Sequence, residues 1–299
     1  MRFIITVFKM IKIIFCFDSN HLNWTRTQIS LYIIFFMKMI IAPTDFSAVS
    51  LNAVNYAADM AVATNASLLI LHATELPFGI NNSGGPVYSE AESEEKLTAL
   101  KKDLIKRTQN KIKINSKQVT GIIENELIKI CDYRDPFAVV MATHGTSLRK
   151  LIFIGSITVY LSRNLKYPVI VIPGNVHFKP VHNIALATDL KNIDDLPVEK
   201  ISAVVTAFNA KLSIVHVYAD KEDVSKYFTE ELTFCNYFKH LNPEFHFIKS
   251  SNVQKGILFF AEKHKIDMIL TFPEKHTFFH NSESKQLIFN SPVTVMTIQ

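Results

Sequence analysis

The stretch "ATNASLLILHATE" (63–75) decides the fold, because a second copy, "AFNAKLSIVHVYA" (207–219), follows it 144 residues later without a gap. The alignment places His72 over His216. Each copy runs from the end of a helical pattern into a short apolar strand. Matches at one fixed offset across such a unit predict a duplicated domain.

Short apolar segments alternate with longer amphipathic ones on both sides of the first copy. Such alternation indicates parallel strands covered by helices on both faces. The duplication therefore predicts an α/β protein with two tandem flavodoxin/Rossmann-like domains, each holding a five-stranded parallel sheet. In the first domain we expect strands at 39–43, 67–73, 113–120, 137–142 and 168–173, and helices after Ser47, at 89–111, at 122–131 and after Gly155.

The repeat also sets the domain boundaries. We expect one domain at 37–173 and a second at 182–299. The linker at 174–181 is indicated by "PGNVHFKP" (173–180), which has a proline at each end.

Residues 1–36 fit neither domain. Their first apolar run, "MRFIITVFKMIKIIFCF", is interrupted by Lys9 and Lys12 before it reaches the roughly 18–20 apolar residues of a spanning helix. No small-residue cleavage site follows it. We favour an over-extended or non-native N-terminus, with membrane attachment as the alternative.

The composition excludes several classes of function. The 299 residues carry a net charge of +5, and their Lys and Arg residues form no basic run, so no nucleic-acid partner is indicated. Three cysteines without metal-type spacing predict reduced thiols and a cytoplasmic location. No HExxH pattern occurs, and we expect no metal site. His72 and His216 are expected to be packed and hydrogen-bonded, not catalytic.

The segment "MATHGTSLRKLIFIGSIT" (141–158) holds two of only eight glycines in the chain. A glycine after a strand lets backbone amides approach a phosphate, and the helix after Gly155 presents unpaired N–H groups. Asp45, at the end of the first strand, is suited to accept hydrogen bonds from a ribose. Ligands of parallel α/β sheets bind at this edge, so the segment predicts a nucleotide site.

Together these residues resemble the tandem two-domain form of the universal stress protein family, over essentially residues 39–299. The family's nucleotide-binding pattern G-x2-G-x9-G-[ST] is matched by A-x2-G-x9-G-S from Ala142 to Ser156, beside "APTDFS" at 42–47 and "LHA" at 71–73. The resemblance implies an adenine-nucleotide pocket for ATP, with magnesium accompanying the nucleotide. The pocket residues that it implies are Pro43, Thr44, Asp45, Ala73, Met141, Ala142, Gly145, Gly155, Ser156 and Ile157.

Two departures from the family pattern matter. Ala142 adds a methyl group where the family's binders have glycine, so we expect weakened or altered binding. In the second domain, Pro273-Glu274 replaces His144-Gly145, which removes an amide donor and adds a charge that repels phosphate. We therefore expect the second domain to bind no nucleotide.

Three classes of function follow. The first is a stress-response regulatory protein that binds ATP; the alternatives are a slow ATPase and a ligand-free interaction scaffold. No catalytic base is identified, so at most weak hydrolysis is expected. The family resemblance also implies that the last strands of the two domains, "PVIVIP" (168–173) and "PVTVMTI" (292–298), pair within the chain. A further homodimer is left open.

Overall fold

The computed structural model describes residues 38–74, 88–143, 156–190, 196–219, 227–272 and 291–299. In these residues strands and helices alternate along the chain, as the apolar pattern predicts. The strands are β1 (Met39–Pro43), β2 (Ser67–Thr74), β3 (Ile114–Thr120), β4 (Ala138–Ala142), β5 (Val169–Ile172), β6 (Asn183–Ala187), β7 (Lys211–Tyr218), β8 (Glu244–Lys249), β9 (Met268–Thr271) and β10 (Thr294–Thr297). The helices are α1 (Ala48–Ala63), α2 (Glu90–Arg107), α3 (Ile123–Arg134), α4 (Ser156–Asn164), α5 (Val198–Phe208), α6 (Phe228–Tyr237) and α7 (Val253–Lys263), with a short 3-10 turn at Lys239–Leu241.

The described strands form one sheet in the order β3-β2-β1-β4-β5-β10-β9-β6-β7-β8. Within each half of the sheet the strands run parallel, and the order of the second half mirrors that of the first. The predicted fold class, two tandem parallel α/β units, is confirmed.

The two halves join through β5 and β10, which pair antiparallel with Val171 opposite Val295. This pairing confirms the prediction that the last strands meet within the chain. On the α1 side of the junction, the hydroxyl of Tyr56 lies 3.2 Å from Oγ1 of Thr294. The side chain of Asn52 donates to the carbonyl of Val176 at 2.9 Å, which ties the segment between the halves to α1.

The 144-residue repeat is visible in the backbone. Both β1 with β6 and β2 with β7 start at this offset. The residues before β2 and β7 include Asn65 and Asn209, with φ values of 51° and 50°. Asparagine tolerates this left-handed conformation better than most residues, so the same residue type ends the preceding helix in both halves.

Two predicted helix ends differ from the structure. Helix α2 ends at Arg107, four residues before the predicted end at 111, because Gln109 and Asn110 adopt left-handed conformations with φ values of 52° and 56°. Helix α3 continues to Arg134, beyond the predicted end at 131, and stops at Asp135 before Pro136. A proline disfavours helical geometry in the residue that precedes it.

Hydrophobic residues of the strands divide between two clusters, one on each face of the sheet. The cluster that contains α1 includes Ile40 and Val140, and we call it the α1-side cluster. The other contains Ile41 and Met141 together with Leu161 of α4, and we call it the α4-side cluster. Alternation along β1 and β4 thus sends successive side chains to opposite faces. Among the described residues, no helix combines the length and apolar character needed to cross a bilayer.

Candidate functional site

The first half of the sheet has one topological switch point. The chain proceeds from β1 to β2 and β3 on one side, then returns to place β4 and β5 on the other side of β1. The carboxyl ends of β1 and β4 therefore open a crevice between connections that leave in opposite directions. Thr44 and Asp45 follow β1 at this edge, and Ala142 ends β4.

A tight turn leads from β1 into α1. Thr44 is buried, and its Oγ1 accepts a hydrogen bond from the Phe46 N–H at 3.0 Å. Oδ1 of Asp45 accepts from the Ser47 N–H at 3.0 Å, and Oγ of Ser47 accepts from the Ser50 N–H at 3.2 Å as the predicted N-cap of α1. The half-buried Asp45 carboxylate is thereby anchored to the first turn of a helix, beside the crevice.

Three of the predicted site residues lie on one face of the sheet. Ala73 of β2, Met141 of β4 and Ile157 of α4 all belong to the α4-side cluster. Met141 is nearly buried, whereas Ala73 and Ile157 are half-buried. Three predicted site residues from separate parts of the chain therefore contribute to one apolar surface, of the kind that lines pockets for flat organic rings.

The first turn of α4 lies against the end of β4. Oγ1 of Thr158 donates to the carbonyl of Ala142 at 3.0 Å. The helix begins at Ser156, and the N–H groups of its first turn have no partner within the helix. The positive end of the helix dipole lies here, so the arrangement favours an anionic group at this edge.

Most of the predicted site residues are thus placed at one edge of the sheet. Pro43 and Thr44 are buried and shape the turn, while Asp45 and Ala142 are half-buried at the strand ends. Gly145 and Gly155 lie outside the described residues, and of Ser156 only the backbone is described. Pro273 and Glu274 of the second half also lie outside them.

The sequence analysis did not predict a cluster of aromatic side chains that packs against the turn between β1 and α1. The rings of Phe46 and His72 lie 4.4 Å apart between centroids, and the Tyr88 ring lies 5.7 Å from that of Phe46. The ammonium of Lys96 lies 4.7 Å from the Tyr88 ring centroid. Phe46 stands in the quoted "APTDFS" motif, but no sequence signal connects it with Tyr88 or Lys96, which lie more than 40 residues further along the chain.

His72 is buried within this cluster. Its Nδ1 lies 2.8 Å from the carbonyl oxygen of Thr44. Burial lowers the pKa of His72, against the opposing effects of the Thr44 hydrogen bond and the Asp45 carboxylate. The prediction that this histidine is packed and hydrogen-bonded is confirmed, as it is for His216, whose Nδ1 lies 3.0 Å from the Thr188 carbonyl.

In the second half, bulkier or polar residues occupy the equivalent positions. Val217 stands at the position of Ala73, and the sheet register places Thr271 and Phe272 at those of Met141 and Ala142. Helix α7 lies directly on this surface, since a Cβ added to Gly256 would come within 2.9 Å of Cγ1 of Val217. Phe272 packs against the α1-side cluster. The equivalent positions therefore carry different side chains in the two halves, with Val217 and Phe272 larger than Ala73 and Ala142.

The described residues also bear on metal binding. Among the described residues, no group of three or more His, Cys, Asp or Glu side chains is arranged to hold a metal ion. His276 and His280 are four residues apart in the sequence, but they lie outside the described residues.

Comparisons with known proteins agree with this architecture. A family model described as the universal stress protein family matches residues 37–173. Universal stress protein MJ0531 of Methanocaldococcus jannaschii is 30% identical over 138 residues, which cover 45% of this chain and 81% of that protein.

Solved structures match over more of the chain. A universal stress protein from Archaeoglobus fulgidus superposes with a TM-score of 0.66 at 20% identity, covering 87% of this chain and 98% of its own. A putative universal stress protein from Pseudomonas aeruginosa superposes with a TM-score of 0.56 at 10% identity. The match covers 89% of this chain and 94% of that protein. These two matches show that the fold is shared across both halves. The M. jannaschii relative, together with the matching family model, shows that the chain belongs to the universal stress protein family.

Proposed function

We propose that this protein is a stress-response regulatory protein that binds ATP in its first half, while its second half is structural. One observation carries the proposal: an anchored carboxylate, an apolar surface and a helix N-terminus meet at the switch point of β1 and β4. Each of these features suits a different part of a nucleotide.

The parts of the ligand are assigned by their chemistry. The Asp45 carboxylate accepts hydrogen bonds from ribose hydroxyls, and the surface of Ala73, Met141 and Ile157 takes the base. The first turn of α4 and the preceding segment, which contains Gly145 and Gly155, receive the phosphates. Magnesium would arrive with the nucleotide, bound to its phosphates.

Ala142 sets the expected strength of binding. Its carbonyl is held by Thr158, and its methyl group stands where the family's binders have no side chain. We expect an affinity below that of glycine-containing members, since the methyl limits how closely a phosphate approaches the backbone. We also infer a cytoplasmic location, supported by two free cysteines among the described residues, Cys131 and Cys235.

The test begins with purified full-length protein. Denaturation followed by mass spectrometry identifies any nucleotide that co-purifies, and calorimetry with ATP and magnesium measures affinity. D45N is expected to weaken ATP binding about tenfold or more, because an amide replaces the ionised acceptor. D189N, at the equivalent position of the second half, is the matched control and should leave the affinity unchanged.

The outcomes separate the three classes of function. No binding by the wild-type protein, or equal effects of D45N and D189N, would contradict the proposal and favour a scaffold. Phosphate release from added ATP would identify a slow ATPase.

A further inference from the structure

The hydrogen bond of His72 constrains the residue that carries the candidate carboxylate. Its acceptor, the carbonyl of Thr44, belongs to the peptide group that joins Thr44 to Asp45. A carbonyl oxygen only accepts, so Nδ1 of His72 carries the hydrogen. The imidazole thus fixes the plane of the peptide from which Asp45 projects.

The turn needs this support because its backbone is strained. Phe46 adopts a φ of 62°, which costs an aromatic residue on the order of 1 kcal/mol. Its N–H is held by Thr44 Oγ1, and its ring rests on the imidazole with centroids 4.4 Å apart. His72 therefore holds the turn on both sides of Asp45.

The second half contains the same hydrogen-bonded turn. Nδ1 of His216 lies 3.0 Å from the Thr188 carbonyl, and Leu190 has a φ of 64° with its N–H bonded to Thr188 Oγ1 at 3.0 Å. His216 therefore provides a control for any effect of the histidine on folding alone.

We propose that His72 is a positioning residue for the nucleotide site: by donating from Nδ1 to the Thr44 carbonyl, it holds Asp45 in the orientation that binds the ribose. This inference rests on the proposed ATP binding. His72 does not contact the ligand itself, since it is buried behind the turn on the side of Phe46 and Tyr88.

Two polar substitutions of His72 test whether the hydrogen-bond donor must lie at the position of Nδ1. The amide nitrogen of Asn falls near the place of Nδ1, whereas that of Gln falls near Nε2. H72N is therefore expected to keep ATP affinity within about threefold of wild type, and H72Q to lose about tenfold. H216N and H216Q should leave affinity unchanged, although H216Q should lower the melting temperature about as much as H72Q does.

The measurements are calorimetric ATP titrations and thermal melts of the full-length chain. Equal affinities of H72N and H72Q, or an equal loss in H216Q, would overturn the positioning role while leaving ATP binding intact. If the wild-type protein itself bound no ATP, the proposed function would fail and this inference with it. The two failures are thus distinguished by the wild-type titration.

Discussion

The two halves of the sheet share one turn and differ in what faces it. After β1 and after β6 the chain makes the same Thr-Asp turn, with a left-handed third residue and a histidine bonded to the threonine carbonyl. In the described residues the side chains beside this turn differ: Ala73, Met141 and Ala142 of the first half correspond to Val217, Thr271 and Phe272 of the second. The comparison indicates that the turn is a structural feature of the repeated fold, whereas ligand binding depends on the side chains around the turn.

The largest effect is expected when the first half receives a negative charge, like the one that Glu274 adds to the second half. G155D places a carboxylate where the phosphates are proposed to bind, so we expect ATP affinity to fall on the order of 100-fold or more. Calorimetry measures the loss, and a thermal melt of G155D checks that the fold is retained. An unchanged affinity would contradict the phosphate role of this segment.

The comparison also explains how much could be predicted from the sequence. The positions of β1, β2, β6 and β7 follow from one offset and from continuous apolar runs. The turn residues could be predicted for the same reason, since Thr44 and Asp45 fall on Thr188 and Asp189.

The equivalence of Ala142 and Phe272 could not be predicted from the 144-residue offset. The offset falls from 144 to 130 residues by β4 and β9, where Ala138 and Met268 are equivalent, so Phe272 does not align with Ala142 along the chain. The sheet register, in which β9 pairs with β6 as β4 pairs with β1, establishes this correspondence. The contact between Gly256 and Val217 depends on how α7 lies on the sheet, which no local pattern specifies.

That contact gives the second prediction. G256A would bring a methyl within 2.9 Å of Cγ1 of Val217, whose branched side chain has little freedom to move. The steric cost of about 1–3 kcal/mol exceeds the helix-propensity gain, so we expect net destabilisation of about 1 kcal/mol in urea unfolding. The double variant V217A/G256A should recover the part of this loss that comes from Val217, because alanine removes the contacting methyls, whereas Cβ of Ser250 at 3.1 Å remains.

The same pair of variants tests whether the second half is only structural. Both G256A and V217A/G256A should still bind ATP at one site per chain. Destabilisation of V217A/G256A equal to the sum of the single changes would show that the two residues do not interact, and would contradict the steric explanation for the loss in G256A.

The smallest expected effect is a dependence of stability on pH that involves one histidine in each half. Burial lowers the pKa of His72, and burial together with His264 lowers that of His246, whose Nε2 lies 3.6 Å from a Glu244 carboxylate oxygen that opposes the shift. Around His72 the charged or titratable neighbours are Asp45 on the turn and Tyr88, with Lys96 beyond it on α2.

Because the pKa of each histidine lies lower in the folded protein than the ordinary value of 6.5, the unfolded chain takes up protons first as the pH falls. The free energy of unfolding should therefore be lower at about pH 5.5 than at about pH 7.5, with the loss beginning near 6.5. H246Q should make this slope shallower without changing ATP affinity, whereas H72Q should change both. Urea unfolding at the two pH values measures the slope, and an unaltered slope in H246Q would exclude this histidine as a source. The contrast between the variants separates a histidine that only supports the fold from one that also orients a binding residue.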